Sequence, residues 1–356
     1  VGRETDNCHL DDPILSNAET RGFQVQEDER SIEDDRKGCR LNHAGENRHT
    51  GYALKPTNSN GGKGEVPMKV VEIVRYGDPD VLQLGKRRNP EPGPGEVKVR
   101  VLYSGVNRAD LLQRRGQYPA PRGFSSDIPG LEYAGVIESL GKDCGLRAVG
   151  ERVMGVLGGG GYAERVVVSE RETIGVPEGM AMEAAGAVPE VFMTAWDALF
   201  RQAGLRSGEV VLIHAVGSGV GTAGLQLART VGALTIGTSR TREKLWRAKQ
   251  MGLDEGVLVG DEGDWAQQVA DRLDGQRVDV VLDLVGATYL EGNLQILASG
   301  ARWMMVGVPS GSTGLVDLRQ LMVRRASLIG TVLRARPPEE KAVLAREFER
   351  TIMPLF

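Results

Sequence analysis

The sequence predicts an α/β protein in which a β-rich region precedes a doubly wound parallel sheet with helices on both faces. Residues 68–186 carry short alternating apolar and polar stretches separated by turns, which is typical of a β-rich, barrel-like domain. Residues 187–330 alternate strand patterns with helical patterns, as a parallel sheet requires. Residues 1–67 are polar and show neither periodicity, so we expect a disordered N-terminal extension there.

Composition excludes several classes of partner. The chain has 356 residues, 40% of them hydrophobic, which is enough for two domains with a sizeable core. Its net charge is −4, and residues 68–356 hold 35 acidic and 35 basic residues, so we expect no nucleic-acid partner. No apolar run reaches 18 residues, so we expect no membrane partner. Three scattered cysteines favour a reducing compartment, and we expect a cytoplasmic protein.

Strands of the first region are short and bounded by turns. Gly95–Tyr103 alternates apolar and polar residues directly after a cluster of prolines and glycines. Four further stretches are predicted as strands: Met68–Val74, Gly135–Ser139, Arg152–Val156 and Ala163–Val168.

The second region predicts a regular alternation of elements. Its strands are Val210–His214, Leu234–Thr238, Gly256–Val259, Val278–Asp283 and Trp303–Val308. Its helices are Thr222–Val231, Arg242–Gln250, Asp264–Arg272 and Tyr289–Leu297. A last helix is predicted from Pro338 to Arg350, because proline is favoured at the first helical position.

A glycine turn between the first strand and helix of this region carries the strongest signal. Residues 217–221 contain three glycines, and residues 219–224 fit the spacing G-x-G-x-x-G. Glycines let the backbone approach a phosphate, and a helix N-terminus offers free N–H groups and a positive dipole end. We therefore predict that a dinucleotide pyrophosphate binds at four residues: Ser218, Gly219, Val220 and Gly221.

The end of the second strand indicates which dinucleotide binds. An NAD site usually places Asp or Glu there to bind the ribose hydroxyls. This chain has no acid at the strand end and three cations within seven residues. That pattern favours a 2′-phosphate and therefore NADPH, although a solvated basic helix start would explain it too. The predicted binding residues are Ser239, Arg240, Thr241 and Lys244.

Several motifs in register resemble the medium-chain dehydrogenase/reductase superfamily. They are GVNRADLLQRRGQYP (105–119), PGLEYAG (129–135), GGGGYAE (158–164), VPEVFMTAW (188–196), IHAVGSGVG (213–221), LDLVG (282–286) and TVLRAR (331–336). Within it, the sequence is similar to the zinc-free quinone oxidoreductase branch, and there to the p53-inducible group of NADPH enzymes. The resemblance implies a GroES-like β-barrel catalytic domain at 68–186 and a Rossmann NADP-binding domain at 187–330.

The residues present argue against a metal. Zinc-dependent relatives supply ligands at the positions of Val106–Asn107 and just before Glu132, where this chain has no cysteine or histidine. Only Cys144 and His214 remain in residues 68–356, so we predict no metal site. His214 ends a buried strand, and we interpret it as a hydrogen-bonded core residue.

The resemblance implies that Asn107, Tyr118 and Thr194 surround the nicotinamide and the substrate. Asn107 would donate from its amide, Tyr118 would polarise a carbonyl or pack on a ring, and Thr194, expected at a helix start, would bind the carboxamide or relay a proton. The residues alone also allow a loop contact, a surface aromatic and a helix cap. The resemblance implies three further cofactor contacts: Gly286, Gly307 and Leu333.

The leading hypothesis is NADPH-dependent hydride transfer to a quinone or related enone, independent of zinc. Two alternatives remain open. One is a 2-enoyl thioester reductase, which shares the two-domain layout, and the other is a non-catalytic NADPH-binding protein. The resemblance also implies a homodimer, joined through the strand near Ala326–Val332.

The chain departs from the family pattern in two places. Relatives often carry an aromatic residue after the third strand of the nucleotide domain, where this chain has Leu258 and Val259; Arg240 is expected to compensate. Relatives also continue beyond the position of Phe356 with strands that return to the catalytic domain. We therefore expect residues 331–356 to begin that return in a truncated chain, leaving the front barrel with an unpaired edge.

Overall fold

The computed structural model describes residues 67–260 and 264–356. The predicted N-terminal extension lies outside the described residues, apart from Pro67, and its disorder stays a prediction.

Antiparallel strands build the front region. They are β1 (Met68–Ile73), β2 (Leu82–Arg87), β3 (Glu96–Tyr103), β4 (Glu132–Leu140), β5 (Arg152–Val156), β6 (Arg165–Ser169) and β7 (Ile174–Gly175). Five of them form one sheet in the order β6-β3-β4-β5-β7, and β1 pairs with β2 in a separate ribbon. Val97 and Val99 of β3 are fully buried, as the alternating pattern predicts. The strand β2 was not predicted, because its sequence is largely polar and Leu84 is 82% exposed.

Parallel strands build the second region. They are β8 (Val210–Ile213), β9 (Leu234–Ser239), β10 (Glu255–Leu258), β11 (Val278–Asp283), β12 (Leu297–Met305) and β13 (Ser327–Gly330). They pair in the order β10-β9-β8-β11-β12-β13. The order reverses beside β8, and such a switch point opens a crevice at the carboxyl ends of the strands. The predicted doubly wound sheet is confirmed.

Helices cover the sheet and join the two regions. They are α1 (Arg108–Arg114), α2 (Met182–Ala185), α3 (Pro189–Trp196), α4 (Gly219–Thr230), α5 (Arg242–Gln250), α6 (Trp265–Arg272), α7 (Leu290–Ile296), α8 (Leu318–Arg324) and α9 (Pro338–Thr351). Over 67–260 and 264–356, none of these helices is long and apolar enough to cross a membrane.

Several predicted boundaries were wrong, among them two in the parallel-sheet region. The first helix of the nucleotide region begins at Gly219 rather than Thr222, because Ser218 caps it and the glycines occupy its first turn. The strand predicted as Trp303–Val308 instead runs from Leu297 to Met305, alongside β11.

Helix α9 packs where the two regions meet. The ring of Phe348 lies edge-on to Trp196 of α3, with ring centroids 5.8 Å apart. Glu349 accepts hydrogen bonds from the Arg147 guanidinium at 2.6 Å and from the Gly175 N–H at 2.7 Å. The last described helix is thereby fixed to the front sheet. The predicted domain boundaries and the truncated return of residues 331–356 stay predictions.

Candidate active site

The phosphate turn, residues 215–221, connects β8 to α4. The Oγ of Ser218 accepts the Gly221 N–H at 3.2 Å and so caps the helix. The N–H groups of Gly219 and Val220 belong to the first turn, where a helix offers them no internal partner. A Cβ on Gly221 would lie 2.5 Å from a backbone oxygen of the same turn, so only glycine fits. This geometry, free N–H groups at a helix N-terminus, binds phosphate.

The predicted 2′-phosphate residues lie beside this turn. Ser239 ends β9, and its buried Oγ accepts the N–H of Thr241 at 3.2 Å. The side chains of Arg240, Thr241 and Lys244 are exposed. The stem of Lys244 packs against Gly217, where an added Cβ would lie only 2.6 Å from the Lys244 Cβ. The structure therefore brings cationic side chains next to the phosphate turn without an intervening acid from the strand end.

Aromatic side chains reach this corner from segments that the sequence pattern did not single out. Trp265 and Tyr289 stack with ring centroids 4.9 Å apart. Burial raises the pKa of Tyr289, and the Arg240 guanidinium lies close enough to act in the opposite direction. The aromatic residue that relatives carry near Leu258 is absent from that position, but aromatic rings are present nearby.

His214 lies directly behind the phosphate turn. It is fully buried, its Nδ1 lies 3.0 Å from the Thr238 Oγ1, and its Nε2 lies 2.7 Å from the Asn293 Oδ1. Burial lowers the pKa of His214, so the ring is neutral. The prediction of a hydrogen-bonded core histidine is confirmed.

The buried carboxylate of Asp283 extends this network to a second loop. Its Oδ1 accepts the N–H groups of Val285 and Gly286 at 2.8 and 2.9 Å. Its Oδ2 accepts the Trp303 indole at 2.9 Å and the Asn293 amide at 3.2 Å. Gly286 has a φ of 95°, which favours glycine. Asp283 thus fixes the loop that contains the predicted cofactor residue Gly286.

Three carboxyl groups lie together at the N-terminus of α3, and we call Asp110, Glu132 and Glu190 the carboxylate cluster. Glu132 is 2% exposed, yet both of its oxygens are paired. Its Oε1 accepts the Asn107 side-chain amide at 2.7 Å, and its Oε2 accepts the Glu190 backbone N–H at 2.9 Å. Burial, offset in part by these hydrogen bonds, raises the pKa of Glu132 to about 7. Asn107 therefore presents an amide whose orientation is fixed from behind.

Asp110 anchors the same loop. It accepts the backbone N–H groups of Asn107 and Gly130, both at 2.9 Å, and the Tyr162 hydroxyl at 3.2 Å. Burial raises the pKa of Asp110 despite these donors. The loop from Gly105 to Asn107 is therefore fixed by side chains from two other segments of the front region.

Arg334 crosses from the loop after β13 to the front region. Its Nε donates to the Gly158 carbonyl at 2.8 Å, its Nη1 to the Tyr118 carbonyl at 3.3 Å, and its Nη2 to the Gln113 Oε1 at 2.5 Å. The guanidinium carbon lies 4.7 Å from the centroid of the Tyr118 ring. Burial raises the pKa of Tyr118, so its phenol remains an O–H donor. Arg334 thereby fixes both the backbone and the ring of Tyr118.

Helix α3 connects the phosphate turn with the carboxylate cluster. A Cβ on Gly219 would lie 2.8 Å from the Val191 Cγ1, so α3 touches the phosphate turn. The neighbouring Glu190 belongs to the carboxylate cluster, and its backbone N–H donates to Glu132. Thr194 is half-buried one turn further along, on the same face as Glu190. The expectation that Thr194 stands at a helix start was wrong, because the helix begins at Pro189.

Gly307 and Leu333 are the remaining predicted cofactor residues. Gly307 follows β12, close to the carbonyl of Leu284. Leu333 is 6% exposed and belongs to the apolar cluster that includes Met193 and Trp196. A cofactor contact at Leu333 would therefore use backbone atoms.

The residues at the zinc-ligand positions do not fit a metal. Val106 and Leu131 carry no donor atom, and His214 is fully occupied inside the core. Within the described part of the chain, no group of three His, Cys, Asp or Glu side chains could hold an ion. No step proposed below uses a metal.

Sequence patterns did not identify Asp110, Glu190 or Arg334 as site residues, and Glu132 served only as a landmark for the missing zinc ligands. One signal was available. Glu132 is an acid between Leu131 and Tyr133 at the start of an apolar strand, and a buried acid there needs partners.

Comparison with known proteins places this geometry in a family. Residues 93–178 match the family described as "Alcohol dehydrogenase GroES-like domain", and residues 219–349 match "Zinc-binding dehydrogenase". The "Quinone oxidoreductase" of Pseudomonas aeruginosa is 36% identical over 251 residues, which are 70% of this chain and 76% of that protein. The chain belongs to the medium-chain dehydrogenase/reductase superfamily.

Solved structures of this superfamily share the fold. Escherichia coli quinone oxidoreductase complexed with NADPH has a TM-score of 0.70 and 26% identity, covering 80% of this chain and 88% of that one. An NAD-dependent alcohol dehydrogenase also has a TM-score of 0.70, with 31% identity over 80% of this chain and 89% of that one. The front region is thus GroES-like and the parallel sheet is of the Rossmann type. A nucleotide cofactor is expected, but the neighbours include both NADPH and NAD proteins.

Proposed function

We propose that this chain is an NADPH-dependent reductase that transfers hydride to quinones or related enones without zinc. One observation carries the proposal: the N-terminus of α3 touches the phosphate turn through Val191 and the carboxylate cluster through Glu190. A dinucleotide on the turn would therefore extend towards Asn107, Tyr118 and Thr194. Quinone oxidoreductases among the relatives support the same reaction class.

Residues of the parallel sheet would hold the cofactor. The helix N-terminus at Ser218–Gly221 suits the pyrophosphate, and the exposed Arg240 and Lys244 suit a 2′-phosphate. Ser239 and Thr241 complete that corner, and Gly286, Gly307 and Leu333 line the proposed path to the nicotinamide. Bound NADPH supplies the hydride.

Front-region residues would orient the substrate and stabilise developing charge on its oxygen. The Asn107 amide is held by Glu132, so its orientation is set before a substrate arrives. Tyr118 offers a protonated phenol beside the Arg334 guanidinium. The Thr194 hydroxyl on α3 is the third polar group of the proposed site. Preorganised donors of this kind stabilise an oxyanion without a metal.

The test is NADPH oxidation with three sets of reactants. We expect turnover with NADPH and an ortho-quinone, and much slower turnover when NADH replaces NADPH. Faster reduction of a crotonyl thioester would favour a 2-enoyl thioester reductase. Tight NADPH binding with no turnover of either substrate would favour a non-catalytic binding protein.

We also propose a homodimer that joins at β13, the edge strand of the parallel sheet. Apolar side chains are exposed on and beside this edge: Leu318, Met322, Val323, Leu328 and Val332. A second copy that pairs its β13 with this edge would cover them and continue the sheet. Light scattering should show a dimer for the wild type and a monomer for Leu328→Lys. A cytoplasmic location and the absence of nucleic-acid partners belong to the same proposal.

A further inference from the structure

The carboxylate cluster contains one more carboxyl group than the proposed positioning of Asn107 requires. Glu132 accepts the Asn107 side-chain amide, and Asp110 accepts the backbone N–H of Asn107. Within 67–260 and 264–356, the side-chain oxygens of Glu190 accept no hydrogen bond from any residue. Among the described residues, the Glu190 carboxyl group therefore has no hydrogen-bond partner.

The hydrogen bonds determine which member of the pair is ionised. Two N–H donors point at Glu132, and donors of this kind stabilise the charged form of a carboxyl group. One of them is the backbone N–H of Glu190, so Glu132 also occupies the helix end that would otherwise favour an ionised Glu190. A second negative charge beside Glu132 is unfavourable, and the proton therefore resides on Glu190.

Glu190 lies close to Tyr118, one of the residues of the proposed substrate region. Charged and titratable groups from four other segments face it: Glu132 of β4, Asp110 of α1, Tyr118 of the loop after α1 and Arg334 of the loop after β13. Tyr162, which donates to Asp110, lies behind them. Burial and then the Glu132 carboxylate raise the pKa of Glu190 to about 8, with Arg334 opposing them.

We propose that Glu190 donates the proton that quinone reduction requires in addition to hydride, and that Glu132 is the positioning residue that keeps Glu190 protonated. This inference rests on the proposed function. The quinone gains two electrons and one hydrogen as hydride from the reduced nicotinamide. The O–H bond of the Glu190 carboxyl breaks, an O–H bond forms on the reduced quinone oxygen, and water later returns a proton to the carboxylate.

Rate measurements against pH test the donor. The wild type should lose rate as pH rises above about 8, because Glu190 then lacks its proton. Glu190→Gln should lower kcat by about 100-fold and abolish this alkaline loss, while Glu190→Asp should retain it. The matched control is Glu178→Gln, an exposed glutamate with no role in the site. Wild-type kcat with an unchanged alkaline loss in Glu190→Gln would overturn the proposal.

Glu132→Gln tests the positioning residue. Loss of the neighbouring charge should move the alkaline loss of rate to lower pH, because Glu190 then ionises more easily. A merely structural contribution of Glu132 would lower the rate at every pH and leave the profile in place. An unmoved profile therefore overturns the assignment to Glu132.

An infrared measurement separates this inference from the proposed function. The wild type at pH 7 should show the carbonyl stretch of a protonated carboxylic acid, which Glu190→Gln reduces and Glu178→Gln leaves unchanged. If no quinone is reduced but the band behaves in this way, the proposed function fails and the protonated Glu190 stands. If quinones are reduced and the wild type has no such band, the inference about Glu190 fails.

Discussion

The phosphate turn and the carboxylate cluster lie on either side of the N-terminus of α3, yet they are built on different principles. The turn uses backbone N–H groups from residues that are contiguous in sequence. The cluster uses side chains from α1, β4 and α3, with Arg334 arriving from beyond β13. A backbone site should be sensitive to added volume, whereas a side-chain site should be sensitive to charge and to the loss of a hydrogen-bonding atom.

Gly221→Ala should produce the largest effect, because it adds one carbon where the backbone leaves no room. The new Cβ would lie 2.5 Å from the Ala215 oxygen and 2.8 Å from Val216 atoms, so the turn must move. We expect NADPH affinity to fall by about 100-fold, or about 3 kcal/mol, in a fluorescence titration. Gly145→Ala, at an exposed loop position with open space, is the matched control. Equal affinity in both variants would contradict the backbone character of the turn.

The pH dependence of stability should reveal the carboxylate cluster. Since the folded-state pKa values of Glu132 and Glu190 are about 7 and about 8, against an ordinary value of 4.5, the folded chain holds extra protons between these limits. Raising the pH through this window should therefore lower the free energy of unfolding. Urea titrations at pH 5 and pH 8 measure the difference.

Glu190→Gln should reduce this pH dependence, because one of the two acids with a raised pKa no longer titrates. Glu178→Gln should leave it unchanged. An identical slope in the wild type and in Glu190→Gln would show that the cluster does not hold its protons in the folded state.

Arg334→Leu tests whether the proposed substrate site and the phosphate turn are independent. The substitution leaves the Gly158 and Tyr118 carbonyls and the Gln113 amide oxygen without their donor, at an expected cost of about 2 kcal/mol in unfolding free energy. Because Tyr118 loses its orientation, kcat for the quinone should fall while NADPH affinity stays within about twofold. Arg350→Leu, on the exposed face of α9, is the control. A parallel loss of NADPH affinity would show that the two sites are not independent.

Lys244→Ala should have the smallest effect, and it tests whether the site prefers NADPH over NADH. Lys244 is exposed, so a contact with the 2′-phosphate is partly screened and is worth about 1 kcal/mol. NADPH affinity should fall severalfold in a titration, and NADH affinity should not change. An equal loss of affinity for NADPH and NADH would contradict the assignment of the 2′-phosphate to this corner.

The contrast between the phosphate turn and the carboxylate cluster also explains which features could be predicted from the sequence. The phosphate turn lies in one segment, where an apolar strand, a glycine cluster and a helix stand in register, so its fold and its function follow from local rules. Asn107 entered only through the resemblance, since an asparagine after a strand has many ordinary uses. The proposed roles of Glu190 and Arg334 depend on hydrogen bonds to residues that lie 58 and 221 positions away in the chain. No local pattern encodes such contacts.

Short elements escaped prediction for a related reason. Helix α8 spans only 7 residues and none of them is buried, so Leu318, Leu321 and Met322 form too short an apolar stripe for periodicity to detect. Strand β2 pairs only with β1 at the margin of the front region and needs few apolar residues. These two marginal elements were missed, and so was the start of helix α3, although Met193, Ala195 and Trp196 are buried.

Asp283 has a consequence for protein engineering. One carboxylate serves the Trp303 indole in the core and the N–H of Gly286 in the cofactor loop. A library that randomises this position to alter nucleotide preference would mostly recover unfolded chains, whatever their preference. Arg240 and Lys244 are exposed, and among the described residues neither makes a hydrogen bond to the core, so diversity placed there can be screened for nucleotide choice at little risk to folding.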